Sequence, residues 1–150
     1  LGPMERQAQL ILGSRFQDSQ RAIENGMPLF RFAANRFLSF FDRLILGLPL
    51  TEFHTGFRIY GRDLLEQIPY DENSDDYLFS FQVIAQAAYY GMPVEEVPVD
   101  ADYKSEHSSQ PLGNATLYAV QSFLTLGQYV LAKLGIRYNR IFQKRHGMLS

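Results

Sequence analysis

The stretch from Pro28 to Gly47 constrains the fold more than any other part of the chain. Its apolar residues Phe30, Ala33, Ala34, Phe37, Leu38, Phe41, Leu44 and Ile45 recur at three- and four-residue intervals, with Arg31, Asn35, Ser39 and Asp42 opposite. That is the periodicity of an amphipathic helix, whose apolar side is expected on a core and whose polar side is expected in water. Pro28 suits the first helical turn, where a missing N–H costs nothing, and Gly47 ahead of Pro49 stops the helix.

The segments around this helix supply strands to pack against. Gln9 to Gly13 is a short β-type run, Phe57 to Tyr60 another, and Val94 to Val99 a third with Pro93 and Pro98 at its limits. Ser14 to Gly26 is polar and aperiodic, which predicts a long loop. Arg62 to Gln67 is expected to form a short helix ended by Pro69, and Asp71 to Asp76 a polar connector. Leu78 to Tyr90 reads as a second amphipathic helix, capped by Asp75 or Asp76 at its start and by Gly91 at its end. Leu117, Val120, Leu124, Gly127, Leu131 and Leu134 mark an amphipathic last helix. Strands alternating with helices predict an α/β sheet.

With 150 residues, 46% of them hydrophobic, the chain is long enough for one domain with a real core. Leu1 to Pro3 reads as a cleavage scar left by cloning, residues 4–135 as the domain and residues 136–150 as a basic tail. A formal charge of -2 gives no global drive toward nucleic acid, although Asp71 to Glu106 is mostly acidic and Lys133 to Arg145 wholly basic. The lack of cysteine removes disulfides and thiolate metal sites and fits a cytoplasmic, reducing compartment. Gly113 to Ala132 is uncharged but carries Asn114, Thr116, Gln121, Ser122, Thr125 and Gln128, too polar a set for a membrane span.

Short motifs follow one another in a telling order: Leu-Gly-Ser-Arg-Phe at 12–16, Ala-Asn-Arg-Phe-Leu at 34–38, His-Thr-Gly-Phe-Arg at 54–58, Asn-Ser-Asp-Asp at 73–76, Ala-Gln-Ala at 85–87 and Glu-Val-Pro-Val at 96–99. Together they resemble the acceptor-side half of bacterial family 2 glycosyltransferases, inverting GT-A enzymes whose relatives include dolichol-phosphate mannose synthase. The resemblance covers Gln9 to about Gly135. It implies the C-terminal half of a GT-A, Rossmann-like domain: a short, mostly parallel or mixed sheet flanked by helices, with an amphipathic C-terminal helix. It also implies a preceding nucleotide-binding half that ends in an Asp-x-Asp motif for Mg²⁺ or Mn²⁺. That motif is missing before Gln9, and the Asp-x-Asp at Asp100-Ala101-Asp102 follows the wrong strand, so no metal ligand is assigned in this chain.

Glycosyl transfer must neutralise a departing nucleotide diphosphate and present a nucleophile to the opposite face of the sugar. Arg15 and Arg58 are the cations expected near phosphates, with Thr55 and Gly56 lining the same approach; an ordinary ion pair is the alternative for each arginine. His54, Asp75 and Asp76 are the catalytic candidates by resemblance, set against a structural histidine and a helix cap. Ser80 stands where many relatives carry an aspartate that acts as general base, and a serine cannot take up a proton at neutral pH. A polyprenyl phosphate would need no base, because its second pKa is about 6 and it is already an oxyanion at pH 7. Gln82, Tyr103, Ser108 and Ser109 complete the substrate-binding set that the resemblance implies.

The expected partners are thus a nucleotide sugar and a lipid-phosphate acceptor. An exposed half-sheet would also need a second copy or the nucleotide-binding half to cover it. The basic tail and last helix fit an anionic membrane surface at the cytoplasmic face. The competing reading is a non-catalytic half-domain that self-associates or binds other proteins.

Overall fold

The computed structural model describes residues 7–100, 112–136 and 139–143, and its elements alternate as the periodicity predicts. Strand β1 (Leu10–Ser14) is followed by helices α1 (Ser19–Glu24) and α2 (Leu29–Leu46), then strand β2 (Arg58–Tyr60) and helix α3 (Arg62–Gln67). Helix α4 (Leu78–Tyr89), strand β3 (Val94–Pro98) and helix α5 (Leu112–Lys133) complete the order, with 3-10 turns at Tyr70–Glu72 and Arg140–Phe142. The sheet is small and mixed: β1 lies in the middle, antiparallel to β2 through Ile11 opposite Ile59, and parallel to β3 through Leu12 opposite Glu96.

All five residues of β1 are buried, as expected of a central strand covered on both faces. Gly13 is dictated by packing. A Cβ there would come within 2.7 Å of Val99 Cγ1 and 2.9 Å of Phe57 Cβ.

The core gathers Leu10 and Leu12 of β1, Leu64 and Ile68 around α3, Phe81 and Ile84 of α4, and Leu126 and Tyr129 of α5. Each fully buried Leu, Ile or Phe of this kind contributes about 1.5–3 kcal/mol. α4 differs from the amphipathic helix its sequence suggests. Phe81 to Ala87 is buried without a break, because α4 runs through the core rather than along its surface. Its Gln86 is tolerated there by a reciprocal amide pair with Asn73, at 2.9 and 2.8 Å, and by donating to the Ile141 carbonyl at 2.7 Å. That last bond ties residues 139–143, read from sequence as part of a basic tail, onto the core, where Ile141 and Phe142 are buried.

Two further expectations are corrected. The polar stretch after β1 contains a helix: Asp18 accepts from the Arg21 N–H at 3.2 Å and starts α1, whose Ala22 packs with Phe16, Met27 and Phe32 in a small separate cluster. More consequential is the facing of α2. Ser39 and Asp42 are its buried residues, together with Leu46, while Phe30, Phe37, Phe40 and Leu44 are more than half exposed. The helix has the predicted periodicity with the opposite side turned inward.

Candidate functional site

The reversed facing of α2 has a chemical cause in the loop from Leu50 to Phe57, which carries two ionisable side chains into the protein. Glu52 is fully buried. Its carboxylate accepts from the Arg15 backbone N–H at 2.8 Å and from Arg15 Nε at 2.9 Å, forms an ion pair with Arg15 Nη2, and accepts from Asn35 Nδ2 at 3.3 Å. A buried carboxylate requires such partners, and α2 supplies one of them from its polar side.

His54 is the second. Its Nε2 lies 2.8 Å from Asp42 Oδ2 and its Nδ1 lies 2.8 Å from the Tyr118 hydroxyl, so one imidazole bridges α2 and α5. An imidazole protonated at Nε2 fits both contacts, donating to Asp42 and accepting from Tyr118. The ring also stacks on Phe81, with centroids 5.4 Å apart. Burial pushes the Asp42 carboxyl above its ordinary range, against the opposing pull of the His54 hydrogen bond. Burial also pushes the Tyr118 hydroxyl up to about 12.

Arg58 is held by the same loop. Its Nε donates to the Thr55 carbonyl at 2.8 Å and its Nη2 to the Phe53 carbonyl at 3.0 Å, and burial lowers its pKa from the free guanidinium value. Nη1 is buried and has no hydrogen-bond partner among the described residues. Thr55 is buried and Gly56 is exposed, with nothing within 4 Å of a Cβ built on it. Arg15, His54, Thr55 and Arg58 are therefore brought together as a polar layer beneath the loop.

The other expected residues meet at the start of α4. Ser74, Asp75, Asp76, Tyr77, Phe79 and Ser80 line an open groove of about 600 Å³. Asp76 caps the helix: it accepts from Ser74 Oγ at 2.8 Å and from the Leu78 N–H at 2.9 Å, and these two bonds, the serine first, hold its carboxyl below the usual range. Asp75, beside it, is exposed and makes no hydrogen bond or ion pair among the described residues. Tyr77 stands three-quarters exposed at the rim. Gln82 is buried below the groove, where its Oε1 accepts from the Ser74 N–H at 2.7 Å and fixes the connector. The groove and the polar layer adjoin, since Phe81 stacks on His54 one residue after Ser80.

Tyr103, Ser108 and Ser109 lie outside the described residues, as does Asp102. Asp100 is exposed and 3.8 Å from Arg21. Among the described residues no group of three or more His, Asp or Glu side chains converges as a metal site. Sequence reasoning missed Asp42, Asn35 and Tyr118. The signal for Asn35 and Asp42 is a run of polar residues at helical spacing on α2, which can mark a solvent face or a face turned toward buried charge; Tyr118 on α5 carries no such signal.

No protein-family model matches the chain, and no solved structure matches it. A curated relative, "Uncharacterized protein MJ1222" of Methanocaldococcus jannaschii, is 30% identical over 94 residues, which is 63% of this chain and 38% of the relative. The chain thus spans well under half the length of that protein.

Proposed function

We propose that the chain is the acceptor-side half of a family 2-like, inverting glycosyltransferase, and that the groove at the start of α4 receives a sugar. The observation that carries this reading is Asp75, a carboxylate without a partner among the described residues, beside the exposed ring of Tyr77 in that groove. A carboxylate accepts hydrogen bonds from vicinal hydroxyls, and an exposed aromatic ring offers an apolar face for the C–H side of a pyranose. Ser74 and Ser80 add hydroxyls that donate or accept.

Two carboxylates at the groove make it a poor seat for a phosphate. Any phosphate of the donor or of a polyprenyl acceptor is therefore assigned to a separate place. In this reading Asp75 contacts substrate, Asp76 and Gln82 fix the groove, and His54 is a positioning residue. The nucleotide, and the Mg²⁺ or Mn²⁺, are assigned to the nucleotide-binding half that the resemblance implies.

Calorimetric titration with UDP- and GDP-sugars plus Mn²⁺ tests the division of labour. The nucleotide should add nothing to the affinity of the free sugar. Nucleotide-dependent binding would put the donor site in this chain and sink the half-domain reading.

A second reading, a non-catalytic half-domain that self-associates, draws on the two sheet edges at β2 and β3. Sedimentation at increasing concentration separates the two, because that reading requires a concentration-dependent dimer.

A further inference from the structure

The outward sides of α2 and α5 form one apolar surface. On α2, Leu29, Phe30, Phe37, Phe40 and Leu44 are more than half exposed; on α5, Leu117, Val120 and Leu124 are as well. The two faces are continuous, because Phe41 touches Phe37, Phe40 and, across the helix boundary, Phe123, with ring centroids 5.0, 5.4 and 5.8 Å apart. Each helix also buries two polar residues: Ser39 and Asp42 from α2, Ser122 and Thr125 from α5. A helix pair with polar residues inside and phenylalanines outside is not arranged for water.

The charges on these helices say what covers the face. α2 carries Arg31, Arg36 and Arg43, all exposed, while Lys133 at the end of α5 lies over the rings of Tyr89 and Tyr129 instead. The one acid on either helix is Asp42, which is buried against His54. Arg43 donates to the Leu50 carbonyl at 3.0 and 2.8 Å, a bond that leaves its charge uncompensated. In a chain with more acids than bases overall, the exposed charges that α2 sets beside this apolar surface are thus all cationic. Packing this face on a second copy would set those cations against themselves. A bilayer with anionic headgroups complements both features at once, with phenylalanines entering the acyl boundary and arginines meeting the headgroups. No helix among the described residues is long and apolar enough to cross a membrane, so the contact lies in the interface.

We infer that α2 and α5 together form a platform that docks the protein on an anionic lipid surface through Phe37, Phe40 and Leu44, flanked by Arg31 and Arg36. The platform rests on exposed faces and charges rather than on the groove, so it stands or falls independently of sugar binding.

Vesicle flotation of the chain tests it, with phosphatidylcholine alone and with about 30% phosphatidylglycerol. The chain should float with the anionic vesicles only, and binding should weaken about tenfold when salt rises from about 0.05 to about 0.5 M. Phe40→Glu and Arg36→Glu should each weaken binding about tenfold. Arg62→Glu, an equal charge change on α3, should leave it intact. Because Phe40 is exposed the variant should keep its thermal midpoint, and Leu44→Glu gives a second insertion if it does not. Failure to float with anionic vesicles at low salt overturns the proposal. So does unchanged binding of both acidic insertions, or a stable dimer in solution that Phe40→Glu dissociates.

Discussion

His54 Nε2 sits 2.8 Å from Asp42 Oδ2, and both side chains are almost fully buried. The pair joins a loop to a helix face that periodicity alone would turn to water, and it extends through His54 Nδ1 to Tyr118 on α5. Removing the histidine leaves a buried carboxylate without its partner, which is the costly way to break such a pair. His54→Ala is expected to destabilise the fold by about 3 kcal/mol, read as a lower urea midpoint. Adding Asp42→Asn to it should recover part of that loss, because the uncompensated charge is then gone. Equal stabilities of wild type and His54→Ala would show that the pair holds nothing together.

The Tyr118 hydroxyl supplies a pH dependence with a defined sign. Its folded pKa is pushed up to about 12 from the ordinary 10.0 by burial. Between those values the folded state keeps a proton that the unfolded chain has lost, so stability must fall as pH rises through that window. The full effect is at most about 3 kcal/mol. Tyr118→Phe should flatten the slope between pH 10 and 12 in denaturant unfolding. Tyr90, also raised to about 12 by burial, accounts for a residual slope. Asp42 acts at the acid end in the same sense: its raised carboxyl makes the ionised form costly in the fold, so its contribution improves as pH falls through its folded pKa.

Gly13 offers a packing test. A methyl group there meets Val99 on one side and Phe57 on the other, both closer than side-chain carbons approach in folded proteins. Gly13→Ala should therefore cost about 1–3 kcal/mol by overpacking, in spite of alanine's better backbone entropy. Chemical denaturation measures it, and an unchanged midpoint would mean that β1 can shift to make room.

Much of the architecture was legible along the chain, and the reason is local. Pro28, Gly47 and Gly91 punctuate helices by backbone geometry, and Gly47 and Gly91 both take the left-handed conformation expected at a helix end, with φ of 69° and 66°. The facing of α2 was not legible. Periodicity fixes the direction in which a helix is asymmetric, but which side goes inside depends on residues elsewhere, here Glu52 and His54, whose buried charge and hydrogen bonds demand Asn35 and Asp42. The same holds for the motif residues. Thr55, Arg58 and Arg15 look in sequence like ligands for phosphate, yet their hydrogen bonds run to Phe57, to the carbonyls of Phe53 and Thr55, and to Glu52. Asp75 and Asp76 are adjacent and chemically identical, and only the hydrogen bonds from Ser74 and Leu78 separate the cap from the carboxylate that has no partner among the described residues.

The central claim, that the groove at the start of α4 receives a sugar, is tested most directly by amide chemical-shift mapping of the chain with neutral monosaccharides, inorganic phosphate and a short polyprenyl monophosphate. A sugar should shift the amides of Ser74, Asp75, Tyr77 and Ser80 in a saturable way, Asp75→Asn should weaken that response without unfolding the chain, and phosphate should leave those amides still. Shifts at the groove with phosphate and none with any sugar would contradict the account.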